Sequence, residues 1–359
     1  MDSPNLPCPT TTTSTTVISD PLLNNSTLIP TEIQSLQTLA LRGSWQSILT
    51  TLTTTSTATP TSLLPHHHLL NLTFTAIALS KLRRHADALS LIESSIPDLD
   101  SPTHLYESYP HLYPSTTVGS MLPFALRWLH ALLPFFTGRR KDSIDRLYLL
   151  LSFVRSHSAS ASQPIWRRRE DLVVNTIVGC HCSQKEFLVC VGLLEGLISN
   201  SNANAGLLSK LGFVQLQYGD VDGAKKTFSR VEEVVSKNEV EGGRNLVGRN
   251  RALVYLVGKD YVSAVREYDE CIERDGTDVV AVNNKALCLM YLRDLADSIK
   301  VLEGSLERVP TVALNETLIV NLCSMYELAF VNHTDIKRTL SNWIARLAPD
   351  DFDSSCTRV

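Results

Sequence analysis

Residues 283–302 read NNKALCLMYLRDLADSIKVL, two apolar helical segments joined by the polar step Arg293-Asp294. Whether they form a lone helical hairpin or one unit of a repeat decides the fold. Thirty-four residues before Ala286 and Ser298 stand Ala252 and Ala264; forty before those stand Gly212 and Ala224; thirty-four earlier again stand Val178 and Cys190. In every set a small or modest residue is followed twelve positions later by a second. A bulky residue comes four after that: Leu302, Tyr268, Phe228 and Leu194. The six extra residues of the middle step coincide with the Gly-rich stretch KNEVEGGR at 237–244, where a longer loop costs little.

A 34-residue period of helix, turn and helix is the spacing of the tetratricopeptide repeat, and GFVQLQYGDVDGAKKTF, ALVYLVGKDYVSAVREY and ALCLMYLRDLADSIKVL resemble its pattern. Pro310 follows the last unit, at a place where that repeat often carries proline. Small residues are needed where two helices approach most closely. Phe228, Tyr268 and Leu302 are expected to fill the gap between one hairpin and the next.

Upstream, the same design returns with looser spacing. TEIQSLQTLALRGSWQSILTTL, Leu69 to Ile96, Met121 to Val154 and Trp166 to Ile198 each read as two amphipathic segments around a polar turn. Alternating β-branched runs are nearly absent. The fold class is therefore all-α, an α-solenoid of tetratricopeptide-like hairpins. We divide it into a disordered Ser/Thr-rich tail at 1–28, repeat-like hairpins at 29–205, regular repeats at 206–310 and a helical cap at 311–359. Within the first 62 residues 26 are Ser or Thr, and the run TLTTTSTATPTS at 51–62 is expected to be a loop.

With 43% hydrophobic residues, 19% charged and a net charge of -4, most of the chain should fold, and no bulk attraction to nucleic acid or an anionic surface is expected. The eight scattered cysteines suit a reducing cytosol. The start, with no basic residue before Arg42 and no continuous apolar core, does not read as a secretory signal. The most apolar windows are broken by Arg127, His130 or Glu195, so no membrane span is expected.

No constellation carries catalysis. Cys180-His181-Cys182 with Cys190 lacks the second ligand couple of a structural zinc site, and His66-His67-His68 is expected to solvate or cap a helix start. The glycines at 212, 219 and 223 meet no phosphate-loop pattern, and the carboxylates at 232, 233, 267, 269 and 270 are expected on solvated helical faces. No cofactor or metal is expected. The basic clusters Arg139-Arg140-Lys141 and Arg167-Arg168-Arg169 could contact an acidic partner, but the first sits in an inter-helix turn, where charge is the default, so two groups remain as candidates for binding a partner. Arg167-Arg168-Arg169 opens a helix, where cations oppose the dipole and an anion from a partner would relieve them. Asn250 and Asn284 both precede the small residue by two positions on the first helix, the one lining the concave face of such a stack, where an amide can hold an extended peptide. The alternative is a structural or solvated role. The Lys and Asn that a carboxylate-binding repeat domain would add are replaced by Ser209 and Phe213.

Four segments carry a family resemblance. LLSKLGFVQLQYGDVDGAKKTFSRVEEV at 207–234, DVVAVNNKALCLMYLRDLADSIKVLE at 278–303 and above all NETLIVNLCSMYELAF at 315–330 resemble the TRAPP complex subunit 12 family, and MLPFALRWLHALLPFFTGRRKDSIDRLYLL at 121–150 resembles its middle region. GSWQSIL at 43–49 is similar to its first hairpin. Some members carry a long acidic N-terminal extension where this chain has a short Thr-rich tail. The resemblance implies a non-catalytic scaffold subunit of the TRAPP III form of this tethering and exchange assembly. Its expected partners are other TRAPP subunits and, indirectly, a Rab GTPase. The expected setting is endoplasmic-reticulum-to-Golgi traffic and autophagy, cytoplasmic and at Golgi membranes only through the complex. The alternative reading is a free peptide-binding adaptor.

Overall fold

Twelve-residue spacing between small side chains organises the second to the seventh helical hairpins, beyond the three units in which the sequence displays it. The computed structural model describes residues 31–58, 64–113, 119–160, 164–200, 204–238 and 242–358; the tail at 1–28 lies outside them. Eight helical hairpins follow one another. They are α1 (Thr31–Leu41) with α2 (Trp45–Ala58), α3 (Pro65–Lys81) with α4 (His85–Ser95), α5 (Phe124–Phe136) with α6 (Arg140–Ser160), and α7 (Pro164–Ser183) with α8 (Phe187–Asn200). Then come α9 (Ala205–Tyr218) with α10 (Val221–Asn238), α11 (Gly243–Val257) with α12 (Tyr261–Arg274), and α13 (Val279–Tyr291) with α14 (Leu295–Arg308). After the single turn α15 (Pro310–Ala313), α16 (Glu316–Ala329) and α17 (His333–Leu347) form the last. Among the described residues the only β pairing is an isolated bridge, Leu105 to Ser120, in the connection between the second and third hairpins.

The first seven hairpins turn in the same way. Gly43, Arg83, Gly138, Lys185, Gly219, Lys259 and Arg293 each sit in the left-handed region, at φ between 61° and 98°. In each, the next residue's N–H returns to the carbonyl five positions before it at 2.9–3.0 Å, from Ser44 to Leu39 through to Asp294 to Leu289. This closes the orphan carbonyls of the first helix in a Schellman motif. Seven residues before the left-handed position and five after it stand the residues at the close approach. They are Ala76 with Ala88, Ala131 with Ser143, Val178 with Cys190, Gly212 with Ala224, Ala252 with Ala264, and Ala286 with Ser298. In the first hairpin the larger Leu36 and Ile48 take these places, and both are buried. Ser143 and Ser298 donate their hydroxyls across the contact to the carbonyls of Ala131 and Ala286 at 2.6 and 2.7 Å. The second and third hairpins therefore obey the register of the regular repeats, which their unequal connections conceal.

Each hairpin is apolar on both broad faces and buries them against its neighbours, so the core is a chain of clusters and not a single centre. One cluster runs unbroken from Phe124 to Val235, across residue 206. Residues 51–58, expected to be a loop, continue α2 instead. Leu52 is buried against Phe74 and Leu70 of α3, and the threonine hydroxyls bond back to helix carbonyls, as in Thr51 to Ser47 at 2.7 Å and Thr53 to Leu49 at 3.0 Å. Tertiary burial thus outweighs the weak helix propensity of threonine.

The array returns to its own beginning. After α17 the segment Pro349-Asp350-Asp351-Phe352-Asp353 lies on the turns of the first two hairpins. The Asp350 N–H donates to Gly43 O at 3.1 Å, and its carboxylate accepts from the Gln46 N–H at 2.9 Å. Lys81 meets Asp351 at 3.1 Å, while Arg83 meets Glu316 at 2.5 Å and Asp353 at 3.4 Å. Gly43 is required by this contact as well as by its φ, since a Cβ there would lie 2.6 Å from that of Pro349.

Candidate functional site

The two asparagines occupy equivalent places on α11 and α13, and their own chain engages both. Asn250 is buried, its Oδ1 accepting from the Ser209 hydroxyl of α9 at 2.8 Å. Its Nδ2 is buried with no hydrogen-bond partner among the described residues, beside a cleft of about 390 Å³ between α10 and α11. Asn284 is half-buried. Its Nδ2 donates to the Tyr268 hydroxyl at 3.3 Å, and its Oδ1 accepts from Asn283, which accepts in turn from Asn321 of α16 at 2.8 Å. Asn250 thus ties α11 to α9 and Asn284 ties α13 to α12, while Asn283 carries the link to α16. A side chain with its hydrogen bonds already made offers an incoming peptide less than an open one.

Of the three arginines, Arg167 and Arg168 are exposed on α7, whereas Arg169 is 5% exposed. Its guanidinium lies 4.8 Å from the centre of the Phe124 ring and 4.5 Å from that of Trp166. Placed one turn into the helix and facing α5, Arg169 packs as a flat cation between aromatic faces. Only the first two stand where a partner could reach them. The triplet is thus split by helical geometry, a consequence of the 100° between consecutive side chains.

Of the other polar groups singled out in the sequence, His66 and Glu267 lie deeper than expected. His66 is buried, with Nδ1 2.7 Å from the Tyr113 hydroxyl, which also accepts from the His66 N–H. Burial, with the neighbouring His67, lowers its pKa to about 4, so the ring is neutral at pH 7 and shares one hydrogen bond with the Tyr113 hydroxyl. Glu267 is buried on α12, while Asp269 pairs with Lys285 at 2.5 Å and Glu232 pairs with Arg251. His181 links the Tyr148 hydroxyl at 3.1 Å to Glu186 at 2.5 Å. The thiols of Cys182 and Cys190 lie 3.4 Å apart, and burial pushes Cys190 up to about 12. Among the described residues no group of three His, Cys, Asp or Glu side chains could hold a metal ion, and no helix is long and apolar enough to cross a membrane.

What sequence reasoning missed is the edge formed by the turns. Helices alternate in direction, so all seven left-handed residues lie along one edge of the array, and four of them are cations. Large exposed apolar side chains gather there too, among them Leu41, Phe136, Leu188, Val262 and Tyr291. The alignment on the small residues already sets Lys185, Gly219, Lys259 and Arg293 in one column, so the recurring cation stood in the sequence; its left-handed backbone did not.

No family model matches the chain. It is 33% identical over 283 residues to trafficking protein particle complex subunit 12 of Mus musculus, covering 73% of this chain and 35% of that protein. It is 32% identical to the Homo sapiens protein of the same name over the same length, covering 38% of it. The chain thus spans little more than a third of the relatives it matches. Among solved structures, a tetratricopeptide repeat protein from Parabacteroides merdae is similar at 11% identity and a TM-score of 0.45, covering 81% of this chain and 96% of its own. That likeness is too distant to carry anything about function.

Proposed function

Across the 283 positions it shares with those two relatives, the chain belongs to the trafficking protein particle complex subunit 12 family, and from that premise we propose that it is a non-catalytic scaffold subunit of a TRAPP-type tethering and exchange complex. The observation that carries the reading is identity above 30% over 283 residues of a chain whose described residues form a succession of helical hairpins. A stack of hairpins presents long edges and faces at fixed spacing, which suits it to hold other large subunits in register. Its partners are the other subunits of the complex, and a Rab GTPase is reached only through them. Its setting is endoplasmic-reticulum-to-Golgi traffic and autophagy, with membranes approached through the complex.

Affinity purification of the tagged protein from a gentle lysate, read by mass spectrometry, tests this. TRAPP core subunits should be recovered in near-equal amounts with the bait, and a bait recovered without them would refute the proposal.

A second reading, a free peptide-binding adaptor, has one observation in its favour: the unpartnered Nδ2 of Asn250 beside its cleft. Asn250→Ala with Asn284→Ala should then remove a specific partner while helicity is kept. An unchanged set of partners would dispose of it.

A further inference from the structure

We infer that the turn edge of the fourth, sixth and seventh hairpins docks an acidic segment of a partner protein, with Lys185, Lys259 and Arg293 as its cationic contacts. The inference rests on the scaffold reading and names the chemistry by which a neighbouring subunit is held.

The chain already uses this mode on itself. Arg83, the left-handed residue of the second hairpin, takes the carboxylates of Glu316 and Asp353, and the nearby Lys81 takes Asp351. Two of those carboxylates belong to the short stretch Asp350-Asp351-Phe352-Asp353, in which acidic residues flank one aromatic. The segment adds main-chain bonds at Gly43 and Gln46, so the contact is directional as well as ionic.

Lys185, Lys259 and Arg293 hold the same turn position as Arg83 and are exposed, yet among the described residues none of them has an ion-pair partner. The carboxylates that follow them in sequence are committed elsewhere. Glu186 is held by His181 Nδ1 at 2.5 Å, Asp260 accepts from the Ser263 N–H at 3.1 Å, and Asp294 accepts from the Asp297 N–H at 3.2 Å. Three exposed cations without an ion pair among the described residues therefore recur along one edge, each next in sequence to a carboxylate held by a hydrogen bond within its own hairpin.

Two further features favour a docking role. The left-handed conformation disfavours any residue with a side chain, and three of the seven turns use Gly; keeping a long cation there in the other four points to use of the side chain. Leu188, Val262 and Tyr291 are 65%, 67% and 57% exposed beside the three cations. Tyr261 and Tyr291 stack at 5.0 Å and 9°, joining the turns of the sixth and seventh hairpins into one continuous strip. An acidic segment carrying an apolar residue, as Phe352 stands among its aspartates, fits both features. The net charge of -4 gives the molecule as a whole no pull toward an anionic surface, which favours a short protein segment over a membrane.

The test is co-elution of the full chain with purified TRAPP core at 50 and 300 mM salt, comparing wild type with the triple variant Lys185→Glu, Lys259→Glu, Arg293→Glu. Thermal melts followed by circular dichroism monitor the fold, and the Lys185→Gln, Lys259→Gln, Arg293→Gln variant is used if the charge reversal unfolds. Recovery of the triple variant should fall at least tenfold at 50 mM salt with an unchanged melting point, and wild-type recovery should fall as salt is raised. Equal recovery of variant and wild type overturns the docking edge and leaves the scaffold reading standing. A wild type that fails to co-elute overturns both. If the variant keeps the core but loses binding to vesicles containing phosphatidylserine, the cations serve a membrane and the inference is wrong.

Discussion

Gly212 shows how tightly a single position is set. A Cβ there would come within 2.8 Å of three ring atoms of Phe228, where neighbouring hairpins tolerate Ala252 and Ala286. Gly212→Ala should destabilise the protein by about 1–3 kcal/mol through overpacking. Urea denaturation reads this, and Phe228→Leu in the same background should restore part of the loss. His66 makes a second residue-scale prediction. Its ring is neutral in the folded protein, with a pKa of about 4 against 6.5 when exposed. Below pH 6.5 the unfolded chain therefore takes up a proton that the folded chain refuses. Stability from this site is fully present above pH 6.5 and declines as pH falls toward 4, by about 2 kcal/mol between pH 7 and 5. His85 and His130, also lowered by burial, act in the same direction. His66→Gln should flatten the slope of melting temperature against pH, and an unaltered slope would show that His66 titrates normally.

Elements were legible in the sequence wherever one period governed both the hairpin and the link to the next. From α7 to α14 the spacing repeats within and between hairpins, and Phe228, Tyr268 and Leu302 are buried as their places in it required. In the second and third hairpins the connections lengthen and only the twelve-residue spacing survives, so Ala76 with Ala88 and Ala131 with Ser143 went unrecognised. The threonine run of α2 was misread because propensity was weighed without Leu52, the buried residue that anchors it. Asn250 and Asn284 share a helix position, as their spacing implied, but the hydrogen bonds that tie them to other helices come from Ser209 and Tyr268, 41 and 16 positions away. Arg169 was grouped with its neighbours because a sequence run does not display the aromatic rings on either side of it. One register for the first seven hairpins has a measurable consequence. Ala88→Leu should cost about 1–3 kcal/mol, as much as Ala264→Leu in a regular repeat. A harmless Ala88→Leu would mean that the second hairpin is built differently.

At the scale of the whole molecule, the contact between residues 349–353 and the first two hairpins was invisible in sequence, since its bonds span 270 to 307 positions. It is made mainly by exposed charges, each pair contributing roughly 0–1 kcal/mol, so it should open more readily than the hairpins melt. Asp351→Lys with Asp353→Lys, or salt raised well above physiological strength, should enlarge the radius of gyration measured by small-angle X-ray scattering while helicity by circular dichroism stays the same. Unchanged scattering would place the closure elsewhere. Closing the array leaves the uncovered turn edge and the two helical faces as the ways for neighbours to approach, consistent with a subunit held inside a larger assembly. The most direct measurement of that claim is the native size of the endogenous protein, by size-exclusion chromatography of a gentle lysate. The account predicts that it elutes with the TRAPP core in a high-mass particle with little free pool; elution chiefly as the lone chain would contradict it.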